Sequence, residues 1–178
     1  MTWRTYALLG ISSLWLMAPV PAEVLGYDVG TLAAVAALGA LLPDLDASES
    51  SIKHLKVLGT QFKSFLVPAQ VVHASEQHRG LLHSLAGLDM IGVMATPMIL
   101  WIGWAPVVAL LLGYASHLQA DSATRTGILL LYPCRSRYDL LPKGWCITTD
   151  SLAEEVLLLP LAFVAVALLL SQLRLGLD

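Results

Sequence analysis

Residues 85–104 run for twenty positions with a single formal charge, Asp89. A stretch of that length and apolarity has two homes, a membrane span or a fully buried core helix. At its mouth stands His78-Arg79-Gly80-Leu81-Leu82-His83-Ser84. Two imidazoles where water meets an apolar helix are poor packing residues and good metal ligands.

Composition decides between the two homes. Of 178 residues, 57% are hydrophobic and 13% are charged, and the mean hydropathy is +0.72. A soluble domain averages about 45–50% apolar and about 25% charged, so this chain sits on the membrane side. Four more apolar segments lie at residues 5–21, 29–42, 107–118 and 152–173. Strand signals are weak throughout. The predicted fold is therefore all-α, an integral membrane bundle of about five helices in one domain over residues 1–178. The first segment resembles a signal peptide, but Pro21 in Val20-Pro21-Ala22 fits a cleavage site poorly, and an uncleaved span is expected. Three of the segments are shorter than the roughly 20 residues of a full crossing; tilt or bilayer thinning would accommodate them. Apolar residues at 52, 55, 58, 62, 65 and 66 recur at helical spacing, which predicts an interfacial amphipathic helix over residues 52–67.

Charge and cysteine usage exclude other classes. A net charge of -3 without a basic run argues against nucleic acid as a partner. Cys134 and Cys146 form neither a disulfide framework nor a zinc-ribbon spacing, and reduced thiols are expected.

If the five segments alternate in direction, the ends carrying Asp44 and Asp46, His78 and His83, and His117 and Asp121 all fall on the side of the N-terminus. The same alternation puts nine of the ten Lys and Arg residues on that side, with Arg174 opposite. By the positive-inside rule this side is cytoplasmic.

His117 and Asp121, four apart on a helix, share a face and can grip one divalent ion. Taken singly, each group has a plainer reading: Asp44 and Asp46 as a turn pair after Pro43, each histidine as a hydrogen-bonded structural residue. Their convergence at one end of an apolar bundle is what a cation would answer, because unpaired carboxylates near a low-dielectric boundary are costly. Mixed His/Asp donors suit Zn²⁺, with Mn²⁺ or Fe²⁺ as alternatives, and six donors could hold one or two ions. Arg79 beside the histidines, and Arg125, Arg135 and Arg137 in the loop at 122–150, are candidates for gripping a phosphate, or else positive-inside anchors.

The motifs Pro43-Asp44-Leu45-Asp46, His78 to Ser84, Gly113-Tyr114-Ala115-Ser116-His117-Leu118-Gln119-Ala120-Asp121 and Thr124-Arg125-Thr126-Gly127, in that order, resemble the YdjM-like family of bacterial inner-membrane, metal-dependent hydrolases. The resemblance spans roughly residues 40–145. It implies a helical inner-membrane protein with a cytoplasm-facing metal centre whose ligands are Asp44 or Asp46, His78, His83, His117 and Asp121. It also implies a distant similarity to the zinc phospholipase C and P1 nuclease group. Many relatives begin Thr-His-x-x-x-Gly, whereas this chain has Thr5-Tyr6-Ala7-Leu8-Leu9-Gly10. If that histidine is a ligand in relatives, this chain lacks it, and Tyr6 is at best a weak replacement.

These readings combine into an expected metal-dependent hydrolase that uses metal-activated water on a phosphoester or other ester of an amphiphilic or lipid substrate at the membrane interface. Asp44 or Asp46 is the candidate base, with Arg79 beside the reacting group. The competing expectation is a non-enzymatic scaffold or regulator with a structural metal. A transporter would need ionisable groups deep in the spans, where Asp89 alone qualifies.

Overall fold

The structure is a computed structural model that describes residues 1–46, 56–57, 60–61, 81–125, 127–134, 136–142, 144–148 and 151–175. It is built from helices: α1 (Trp3–Ser13), α2 (Ala22–Leu25), α3 (Val29–Leu41), α4 (Leu85–Ala95), α5 (Ile99–Ile102), α6 (Trp104–Ser122) and α7 (Leu152–Leu175). The all-α class read from the sequence holds. The amphipathic helix predicted over residues 52–67 lies mostly outside the described residues, and the four residues described within it are not helical. The residues described there, Lys56–Val57 and Thr60–Gln61, pair as an antiparallel ladder, Lys56 opposite Gln61 and Val57 opposite Thr60. β-Branched Val57 and Thr60 favour such a pairing.

Local chemistry sets most of the helix ends. Asp28 caps α3 by accepting the Thr31 N–H at 2.9 Å, and that cap with the Thr31 hydroxyl lowers the Asp28 pKa. Pro43 has no N–H to continue an α-helical ladder. Instead of stopping the chain there, it lies buried in a 3-10 turn, Leu42–Asp46, that prolongs α3 and carries Asp44 past the helix end. Ser84 caps α4, its hydroxyl accepting the Gly87 N–H at 3.3 Å. Gly103, at φ 71°, turns the chain from α5 into α6, where Pro106 sits harmlessly in the first turn.

Helices α1, α3 and α6 form the core, with α7 against α1 and α4 against α6. Small residues let the axes approach closely. Ala36 is fully buried where three helices meet. A Cβ on Gly10 of α1 would come within 2.7 Å of the Ala36 carbonyl oxygen, and a Cβ on Gly113 of α6 would strike the same carbonyl. Small residues at crossings are how apolar helices gain dispersion contact without burying large side chains.

The start of α1, the end of α3, the start of α4, the end of α6 and the start of α7 share one end of this bundle. Contacts fix the arrangement: Tyr6 meets Asp121, His117 meets Ala40, His83 meets Asp44 and Thr5 meets Glu154. At the opposite end the Tyr27 hydroxyl donates to the Ile102 carbonyl at 3.0 Å.

Among the described residues, Leu85–Ile102 is the one segment long and apolar enough to cross a membrane. It is not a core helix: Val93, Leu100 and Trp101 are 73%, 88% and 89% exposed.

Glu154, in the first turn of α7, is a buried carboxylate that ties α7 to α1. Its Oε1 accepts the Thr2 N–H and the Thr5 hydroxyl, each at 2.5 Å. Thr5→Val keeps the shape and removes one donor. It should cost about 1–3 kcal/mol, the usual penalty for taking a partner from a buried polar group. Thermal denaturation in detergent checks this, with Thr5→Ser close to wild type; a Thr5→Val protein as stable as wild type would exclude a structural role for the contact.

Candidate metal centre

Four side chains from three parts of the chain meet at the shared end. Asp44 comes from the 3-10 turn after α3, His83 closes the short 3-10 turn Leu81–His83 before α4, and His117 and Asp121 lie one turn apart on α6. His83 Nε2 is 3.3 Å from Asp44 Oδ1 and 3.6 Å from Asp121 Oδ2. His117 Nε2 is 3.8 Å from Asp44 Oδ1 and 3.7 Å from Asp121 Oδ2. The donor atoms of Asp44, His83 and His117 all lie within 4.8 Å of one another.

The hydrogen bonds show what this cluster lacks. His117 Nδ1 lies 2.7 Å from the Ala40 carbonyl oxygen. A carbonyl can only accept, so Nδ1 carries the hydrogen, and in the neutral ring Nε2 presents a lone pair. That buried Nε2 has no hydrogen-bond partner, and the atoms it faces are carboxylate oxygens that also only accept. Groups converging at these separations could hold a cation between them. Metal–ligand bonds of about 2.0–2.1 Å in a tetrahedral site give donor–donor edges of about 3.3 Å, and the four separations of 3.3–3.8 Å lie close to that edge. The residues present therefore fit a divalent ion.

Surrounding groups hold the donors in place. The Tyr6 ring stacks on His117 with centroids 3.9 Å apart and an interplanar angle of 21°, and its hydroxyl donates to Asp121 Oδ1. Tyr114 donates to the Leu82 carbonyl at 2.5 Å, fixing the turn that presents His83. Burial works to raise the pKa of Asp121, but the neighbouring His117 imidazole, the Tyr6 hydroxyl and His83 outweigh it and hold this carboxyl, past the apolar part of α6, below the usual carboxylate range. It stays an anion. The side chains of His83, His117 and Asp121 are 3%, 0% and 1% exposed, whereas Asp44 is 32% exposed and forms the open side.

Of the residues singled out in the sequence, the structure brings Asp44, His83, His117 and Asp121 together. Asp46 ends the same 3-10 turn, and its side chain lies outside the description, as do His78, Arg79 and Arg135. Arg125 and Arg137 are exposed on the loop after α6, and Asp89 is exposed on α4. Two contributors carry no metal-ligand signature in sequence: the Ala40 carbonyl, which is backbone, and Tyr6, whose one clue is its place in Thr5-Tyr6-x-x-x-Gly10.

Comparison with known proteins agrees with the motifs. The family model described as "YdjM inner membrane protein" matches residues 1–175. The chain belongs to that family. It is 32% identical over 160 residues to the Bacillus subtilis protein YvsG, covering 89% of this chain and 88% of that one. It is 38% identical over 110 residues to the inner membrane protein YdjM of Escherichia coli, covering 59% of this chain and 50% of that protein; the Shigella flexneri YdjM matches equally. No solved structure matches. Membership in an inner-membrane family accounts for the exposed apolar surface of Leu85–Ile102, and the family's name assigns no reaction.

Proposed function

We propose that this chain is a multi-pass metallohydrolase of the bacterial inner membrane that cleaves an ester, above all a phosphoester, of an amphiphilic substrate at the cytoplasmic interface. The observation that carries the reading is the donor set. Two imidazoles with carboxylates are the kind of ligand set used by catalytic zinc, whereas structural zinc sites are dominated by thiolates. Both cysteines are free and neither is among the grouped donors.

In this reading five helical segments cross the bilayer, with the N-terminus, the metal centre and most basic residues in the cytoplasm. The all-α frame around a His/Asp centre is the type seen in the zinc phospholipase C and P1 nuclease group, a likeness that belongs to the proposal. Zn²⁺ is the favoured ion, with Mn²⁺ or Fe²⁺ as alternatives. A bound ion would supply a water of lowered pKa and a Lewis acid for a phosphoryl or acyl oxygen. The protein does the rest. His83, His117 and Asp121 hold the ion from the buried side, and Asp44 stands at the opening through which substrate arrives. Asp44 or Asp46 would accept the proton that the attacking water gives up, and Arg79, Arg125, Arg135 and Arg137 would draw a phosphate headgroup to the site.

The test uses protein purified in detergent, loaded with Zn²⁺ or Mn²⁺, and offered a p-nitrophenyl phosphodiester and mixed micelles of anionic phospholipid. Metal-dependent ester cleavage is expected, falling about 100-fold or more in Asp44→Asn, the usual minimum for loss of a base. Metal-replete protein inert on both substrates would overturn the hydrolase.

One observation favours a second reading. Asp44 joins His83 and His117 in one group of donors, and Asp121 faces both imidazoles as a fourth; four protein ligands filling a tetrahedron are the mark of a structural ion. The chain would then be a membrane scaffold or regulator. X-ray absorption on the zinc form separates the two: a coordinated water supports the hydrolase, four protein ligands alone the scaffold.

A further inference from the structure

Tyr6 is 3% exposed and touches two donors of α6 at once. Its ring lies on the face of His117. Its hydroxyl donates to Oδ1 of Asp121, while Oδ2 of the same carboxylate faces the Nε2 atoms of His83 and His117. The two oxygens of Asp121 thus have different tasks, and a residue 115 positions away enforces the division. His117 is fixed from two directions, by the Tyr6 ring and by the Ala40 carbonyl at 2.7 Å.

We infer that Tyr6 is a positioning residue that restricts Asp121 to one-oxygen coordination and thereby makes this centre mononuclear. A carboxylate that bridges two ions, which stand about 3.5–4 Å apart in two-metal sites, uses both of its oxygens. Here the phenol occupies one of them. The donor atoms of Asp44, His83 and His117 lie within 4.8 Å of one another, and Asp121 Oδ2 lies 3.6 and 3.7 Å from the two imidazole nitrogens, a cluster small enough to suit a single ion. The stack does separate work: it holds the His117 ring so that Nε2 points at the centre and cannot swing with χ1 and χ2. The inference rests on the metal centre of the proposed function and not on its hydrolytic step.

The experiment titrates Zn²⁺ and Co²⁺ into metal-free protein in detergent, comparing wild type with Tyr6→Phe and Tyr6→Leu, with helicity followed by circular dichroism. Wild type should bind one ion per chain. Phenylalanine keeps the stack and frees Oδ1. Affinity should fall about 10- to 100-fold, the usual loss when a residue that orients a metal ligand is removed. The Co²⁺ visible spectrum should shift as Asp121 becomes free to bind through both oxygens. Leucine removes the stack as well and should weaken binding further.

Two ions per wild-type chain, or a Tyr6→Phe protein with unchanged affinity and unchanged Co²⁺ spectrum, would overturn the inference. A general loss of structure would lower helicity along with affinity, whereas a positioning role changes the spectrum at constant helicity. One ion bound, a phenylalanine-dependent spectrum and no ester cleavage would uphold the role of Tyr6 while overturning the hydrolase. Failure of the metal centre itself would appear as no ion bound by wild type, and would overturn both.

Discussion

Replacing His117 with alanine should abolish stoichiometric metal binding. Elemental analysis of protein purified without chelator should give about one equivalent of a transition ion for wild type, as a single site of this kind holds, and background for His117→Ala. The effect is large because His117 has no substitute. It is fully buried, its Nδ1 is committed to Ala40, and its Nε2 faces both carboxylates. Alanine leaves Asp44 and Asp121 facing each other across a gap with one imidazole between them. Linkage gives a second readout. An ion at 100 times its Kd adds about 2.7 kcal/mol to the native state, so a chelator should lower the wild-type melting temperature and leave that of His117→Ala unchanged. Asp89→Asn, at an exposed position on α4, should retain both metal and chelator sensitivity. Full metal content in His117→Ala would remove the centre as drawn.

How far this centre is legible in sequence depends on the range of the interaction. His117 and Asp121 announce themselves by a four-residue spacing, which any helix turns into a shared face. Asp44 and His83 are legible as polar residues beside the ends of apolar segments, and alternation of the segments brings those ends together. The all-α class follows from the same apolar segments. Tyr6 is different. Its stack on His117 and its bond to Asp121 join residues more than a hundred positions apart, and no local pattern encodes them. Read as a sequence, Tyr6 is a missing histidine; in the structure it orients two donors. Pro43 marks a boundary correctly, but the sequence does not say whether the chain leaves the helix or tightens into a 3-10 turn. That choice is made by tertiary packing, which buries Pro43. At Lys56–Val57 and Thr60–Gln61 the helical spacing misled, because β-branched Val57 and Thr60 favour strand pairing.

The close crossing of α3 and α6 leads to the largest effect expected from a residue that touches no ligand. Gly113→Ala should destabilise the protein by about 3 kcal/mol, the upper part of the range for overpacking, and weaken metal binding about 10-fold or more, as loss of ligand support does. A Cβ at Gly113 would strike the Ala36 carbonyl and come within 3.0 Å of the Ala40 nitrogen, and a Cβ at Gly39 would likewise strike the Leu110 carbonyl. These obstacles are backbone atoms, which cannot rotate away as a side chain can, so the helices themselves must separate. Separation reaches the centre directly. Gly113 lies one turn before His117, and the Ala40 carbonyl that orients His117 lies one turn after Ala36. Moving the axes apart stretches that 2.7 Å contact and carries Asp44, at the end of α3, away from His117. Gly92 provides a control of opposite sign. A Cβ there meets side-chain atoms of Leu111 at 3.8 and 3.9 Å, ordinary contact distances. Gly92→Ala should therefore stabilise by about 0.5–1 kcal/mol through helix propensity and leave metal affinity alone. Thermal unfolding and Zn²⁺ titration of the two variants side by side measure both predictions. A Gly113→Ala protein matching Gly92→Ala in stability and affinity would mean that the α3–α6 crossing does not set the geometry of the centre.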